Sequence, residues 1–111
     1  MAGGVALTED RDWLVSGWIF GELVDRALAR AEPESDVATA LHEGEANGMV
    51  VLYLEDPPVG REVAGLLTSV ARDQLDRRRN GESLGTRDDD LFVKALADLV
   101  VLLAPAPDAR E

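Results

Sequence analysis

The chain has 111 residues, 46% hydrophobic and 30% charged, enough apolar material for one folded domain and too much for a disordered segment. Its 22 acidic residues outnumber 11 basic ones, and the resulting net charge of -11 opposes attraction to nucleic-acid phosphates and anionic lipid. Cysteine is absent, which excludes disulfides, a thiolate nucleophile and Cys-based zinc or iron–sulfur sites.

Met1 to Thr8 carries no Lys or Arg and no long apolar stretch, so no secretory signal is expected there. The longest apolar run, Leu91 to Ala104, is interrupted by Lys94 and Asp98 and is shorter than the roughly 20 residues that span a bilayer. These features predict a cytoplasmic protein with neither a membrane nor a nucleic-acid partner.

In chain order, Thr8 followed by Glu9, Asp10 and Asp12 predicts a capped helix start, and the spacing of Trp13, Phe20, Val24, Ala27 and Ala31 predicts a helix over 9–31. Glu22, Arg26 and Arg30 follow a second, solvated face at steps of four. Pro33 separates this element from a shorter helix over 35–46, capped by Ser35 or Asp36 and ended by Asn47-Gly48. Met49 to Leu54 is a short apolar run rich in β-favouring residues and reads best as a strand, although a buried helical turn has the same pattern.

Asp56-Pro57-Pro58 breaks the chain, and Val63, Leu66, Leu67, Val70 and Leu75 then define a helix over 60–79 with an arginine-rich end and a stop at Asn80-Gly81. Thr86 with Asp89 resembles a capping box for a last helix over 87–103, in which only Lys94 and Asp98 between Leu91 and Ala104 are polar. The expected fold is therefore mainly α, a bundle of about four helices with one short apolar segment. The alternative is α+β, with 50–54 paired to 99–103, because a lone strand leaves its backbone groups unpaired. Residues 1–104 form the expected globular domain, and 105–111 read as a mobile tail.

Catalytic signatures are sparse. His42 is the only histidine, no G-x-S-x-G occurs, and Gly81 and Gly85 lack the spacing and the following lysine of a phosphate-binding loop. Two E-x-x-D pairs, Glu9 with Asp12 and Glu22 with Asp25, resemble magnesium ligands of helical phosphohydrolases. On one helix they point to different sides and cannot share an ion within a subunit. Asp88, Asp89 and Asp90 suit the first turn of the last helix. Arg77, Arg78 and Arg79, with Arg72 nearby, suit the end of the preceding one. A helix-turn-helix reading of Ala40 and Gly44 fails, since Met49 to Leu54 offers no side chain to read a base edge. Gly17 and Gly21, beside Trp18, are costly inside a helix and predict a close contact, either between helices of one subunit or along a homodimer seam.

Charge distribution is the informative feature. Residues 1–56 hold twelve carboxylates and three arginines, whereas 57–111 hold ten carboxylates and eight basic residues. Between Glu32 and Asp56 lie Glu32, Glu34, Asp36, Glu43, Glu45, Glu55 and Asp56, without a single Lys or Arg. Carboxylates concentrated in this way repel one another and create a field that steers a cationic partner. The sequence thus predicts a non-catalytic acidic interaction module, of inhibitor, immunity, antitoxin or adaptor type, needing no metal or cofactor and binding a basic protein surface. A self-associating homodimer and a magnesium-dependent phosphohydrolase assembled across subunits are the competing readings.

Overall fold

The N-terminal segment does not continue the first helix. It forms a β-hairpin, because Gly3 and Gly4 disfavour helix while Trp13, Leu14 and Val15 favour an extended chain. The computed structural model describes residues 2–104, and the expected tail over 105–111 lies outside them. Strand β1 (Ala2–Thr8) pairs antiparallel with β2 (Arg11–Ser16), and Thr8 sits at the turn, where its hydroxyl accepts from the Asp10 amide at 3.3 Å. Helix α1 (Gly17–Arg30) starts directly at the end of the hairpin, so only the second half of the predicted 9–31 helix is helical. Phe20, Val24 and Ala27 do share its buried face, while Trp13 reaches the core from β2.

Helix α2 (Asp36–Asn47) agrees with its predicted bounds to within one residue. The Ser35 hydroxyl caps it, accepting from the Ala38 amide at 3.1 Å and donating to the Glu32 carbonyl at 2.7 Å. Ser35→Ala is expected to cost about 1 kcal/mol, measurable as a shift in urea midpoint at unchanged slope. Gly48, with φ of 79°, ends the helix in the left-handed conformation that glycine adopts without penalty.

Strand β3 (Met49–Val51) is shorter than the predicted 49–54, and Leu52–Leu54 forms a 3₁₀ turn. It lies parallel to β1, with Val5 opposite Val50, so the sheet has the order β2-β1-β3. The chain is thus α+β in kind, four helices with a small three-stranded sheet among the described residues, but β3 does not pair with 99–103. That segment belongs to a helix, and β1 supplies the partner that the lone strand required. Gly44 allows α2 to press against β3, since a Cβ there would lie 3.2 Å from the Met49 carbonyl oxygen and from the Val50 Cα.

Helix α3 (Pro57–Arg79) starts three residues earlier than predicted, with proline in its first turn, where the missing amide hydrogen is no loss. Helix α4 (Asp89–Leu103) starts two residues later than predicted and is capped by Asp88, whose side chain accepts from the Leu91 amide at 3.1 Å. Asp89 instead gathers the preceding loop. It accepts from the Thr86 hydroxyl, from the Leu84 amide at 2.8 Å and from the Thr86 amide at 3.0 Å. These donors, with Arg78 nearby, hold its carboxyl down to about 2.

Packing joins one face of the sheet to the helices. Val5, Trp13 and Val50 meet Leu23, Leu41, Leu67, Phe92 and Leu96 in one buried cluster. The Trp13 indole donates to the Ala95 carbonyl at 2.8 Å, tying β2 to α4. Arg26, expected on a solvated face, is a half-buried tie between elements. It pairs with Glu22, donates to Gln74 at 3.2 Å and to the Leu84 carbonyl at 2.7 Å, and lies 5.2 Å from the Phe92 ring centroid. No helix among the described residues is long and apolar enough to cross a membrane.

Candidate functional site

Helix α2 and its flanking turns carry the acidic sequence segment. Glu32 and Glu34 stand in the turn before the helix, Asp36 opens it, Glu43 and Glu45 follow on its exposed side, and Glu55 and Asp56 lie between the 3₁₀ turn and α3. All are exposed except Glu55, which is half-buried. The fold does not gather the seven into one patch. Five of them line three grooves around α2, Glu45 lines another beside Trp18 and Arg87, and Asp56 lines none of these.

Between α2 and α3, Glu32 and Asp36 line a groove of about 510 Å³ together with Glu62. Between α1 and α2, Glu34 lines a groove of about 620 Å³ with Asp25 and His42. At the end of α2, Glu43 and Glu55 line a smaller one of about 310 Å³ with Met49, Val51 and Leu54. None of the three is lined by Lys or Arg. Asp25, which the sequence suggests only as a magnesium ligand, and Glu62 belong to neighbouring helices with arginines of their own, and only the packing of α1 and α3 against α2 adds them to the acidic surface.

Pairing separates this surface from the arginine-rich end of α3 and the loop that follows it. Arg77 bridges to Glu82 at 3.2 Å, Arg78 to Asp90 at 3.1 Å, Arg79 to Asp76 at 3.0 Å and Arg30 to Asp73 at 2.8 Å. Asp88 and Asp89 are occupied by helix and loop amides. The triplet and the arginine cluster are therefore absorbed structurally. By contrast, none of the seven carboxylates, nor Asp25 or Glu62, takes part in a salt bridge among the described residues.

Two carboxyls of this surface meet at Glu45. A hydrogen bond shared with the Asp25 carboxyl raises the Glu45 pKa above the ordinary value of 4.5, slight desolvation and then repulsion from Asp25 add to it, and His42 opposes. A carboxyl raised in the folded state contributes stability below its unfolded pKa and loses it as the pH rises through the folded value. Glu45→Gln is therefore expected to raise the thermal midpoint at pH 7, with the gain vanishing below pH 4.5. Thermal scans of both proteins between pH 3 and 8 read this difference.

Glu34 is unusual in its backbone. It is the one non-glycine residue with positive φ among the described residues, at 68°. For a residue with a Cβ that conformation costs roughly 1–2 kcal/mol, which glycine would avoid.

The other predicted residues are scattered. Glu9 lies in the hairpin turn and Asp12 on β2, while Glu22 is held by Arg26 on α1. No group of three or more His, Asp or Glu among the described residues has a geometry suited to a metal ion. Gly17, Trp18 and Gly21 meet at an open groove of about 590 Å³, with Glu45 and Arg87, whose guanidinium lies 5.4 Å from the Trp18 ring centroid. A Cβ on Gly21 would meet nothing within 4 Å, so this glycine makes no close helix contact within the chain.

The chain matches no protein-family model, no curated protein and no solved structure.

Proposed function

We propose that this chain is a non-catalytic acidic interaction module, of inhibitor, immunity, antitoxin or adaptor type, whose α2 surface meets a basic surface of a protein partner. The observation that carries this reading is the pairing contrast. The carboxylates of 32–56 form no salt bridge among the described residues, while Arg77, Arg78 and Arg79 at the end of α3 are matched with acids of their own half. A field of one sign in solvent accelerates the encounter with a partner of opposite sign and supplies orientation more than affinity.

Glu34 adds support. A glutamate stands at a turn position where glycine would be less strained, which favours a use for its charge over one for its backbone. Glu34→Gly is expected to leave stability unchanged or raise it by up to about 1 kcal/mol, while it weakens retention of the partner. Immobilised protein exposed to cell extract at low ionic strength provides the test. The reading requires a basic protein that is retained, released by salt, and held less well by Glu34→Gly. Retention of the same proteins by a variant with Glu32, Glu34, Asp36 and Glu43 all neutralised would overturn it.

A further inference from the structure

The open groove of about 590 Å³ beside α1 shares only Glu45 with the acidic segment. Glycines of α1 form its floor. Gly17 opens the helix and Gly21 follows four residues later on the same side, where a Cβ would meet nothing within 4 Å. A glycine inside a helix is costly relative to alanine, and Gly21 gains no close contact within the chain in return. Gly48, left-handed at the end of α2, lines the same groove.

Opposite charges stand at two places along this floor. At the start of α1, the Arg87 guanidinium lies 5.4 Å from the Trp18 ring centroid, and Trp18 is itself 6.4 Å from the Phe92 ring. Arg87 is exposed and takes part in no salt bridge among the described residues, although acids outnumber bases twofold in the chain. Ser16 lines the groove at the same end, and its hydroxyl does not cap α1. Farther along the helix, Glu45 lines the groove from α2 and stands within hydrogen-bond reach of Asp25. Trp18 and Asp25 are seven residues apart on α1, about 10 Å along its axis, so the two charges are separated by roughly 5–10 Å with Gly21 between them.

From this arrangement we infer that the groove binds a zwitterionic peptide of two or three residues, its carboxylate on Arg87 and its ammonium at Glu45 and Asp25. An arginine stacked on an indole still offers its planar fork of N–H donors to a carboxylate. Two adjoining carboxyls are relieved by a cation placed against them. An extended chain covers about 3.3–3.6 Å per residue, so two or three residues reach from one charge to the other. The peptide backbone lies over Gly17 and Gly21, where no side chain obstructs it. The volume of about 590 Å³ falls within the span of small-ligand sites, about 300–1,000 Å³. A net charge of -11 repels a simple anion from Arg87, whereas a ligand of zero net charge meets no such barrier. The inference goes beyond the acidic-module reading and requires no protein partner.

Unblocked trialanine is the probe, and N-acetylated and C-amidated trialanine are its controls, in calorimetric titrations of the full chain. Trialanine is expected to bind with a Kd of about 1 mM or lower, and each block to weaken binding at least about tenfold. Arg87→Gln should no longer distinguish trialanine from its amide, and Asp25→Asn/Glu45→Gln should no longer distinguish it from the acetylated form. Gly21→Leu places a side chain on the floor and is expected to abolish binding. The same variant should raise the thermal midpoint, since leucine favours helix and its Cβ meets nothing within 4 Å. Equal binding of blocked and unblocked peptides, wild-type affinity in Gly21→Leu, or no binding up to about 20 mM would overturn the inference and leave the acidic module standing. Sedimentation of the chain as a dimer that Gly21→Leu dissociates would also overturn it, because a second copy would then fill the groove.

Discussion

Trp13→Ala is expected to lower the stability of the protein by about 3–5 kcal/mol, a large part of the roughly 5–15 kcal/mol that a domain of this size possesses. The indole is 3% exposed, packs with Val5 and Val50 against α4, and donates to the Ala95 carbonyl. Its removal opens a cavity at the buried one of the two hydrogen bonds that tie the hairpin to the last helix, the other being the exposed Arg11 bond to the Leu102 carbonyl. Trp13→Phe keeps the ring in place and loses the hydrogen bond, at about 1 kcal/mol. Leu14→Ala, one position along on the opposite face of the strand, is expected to be close to neutral. Urea unfolding of the three variants reads the alternation directly. A Leu14→Ala loss as large as that of Trp13→Ala would contradict the strand assignment.

The second large effect concerns association. Neutralising Glu32, Glu34, Asp36 and Glu43 together is expected to slow the association of a basic partner at least about tenfold at low ionic strength, with a much smaller change in its dissociation rate. All four are exposed and form no salt bridge among the described residues, so the variant should fold as the wild type does and gain slightly from reduced repulsion. Stopped-flow measurements with the partner recovered in the retention experiment separate the two rates. An unchanged association rate would show that the carboxylates serve the protein in some other way.

Much of the helical framework was legible from local signals. Ser35 and Asp36 before an apolar period, Asn47-Gly48 after it, the two prolines at 57 and 58, and the aspartates at 88–90 are end signals whose physics is contained within a few residues. The hairpin was not, because Thr8 followed by three acids serves equally well as a helix cap and as a polar turn. Trp13 and Phe20, seven residues apart, happen to match a helical face although one arrives from a strand and the other from a helix. Gly17 was the signal that the helix begins later, since it opens α1, whereas Gly21 lies inside the helix and faces open space. The parallel pairing of β1 with β3 joins residues more than forty positions apart, a distance at which local patterns carry no information.

The acidic segment was legible as a run of charge, but its division among separate grooves was not. That division depends on which sides of α2 are covered by α1 and α3, a property of tertiary packing. The same packing brings in Asp25 and Glu62 and sets Glu43 and Glu55 in one groove with Met49, Val51 and Leu54.

The salt dependence of the association rate tests the central claim most directly. For a partner drawn in by the unpaired carboxylates of 32–56, the rate constant should fall steeply as sodium chloride rises from about 10 to 500 mM, while the Debye length shrinks from about 30 Å to a few ångströms. A rate constant that stays flat across that range would contradict the claim that these charges exist to attract a basic surface.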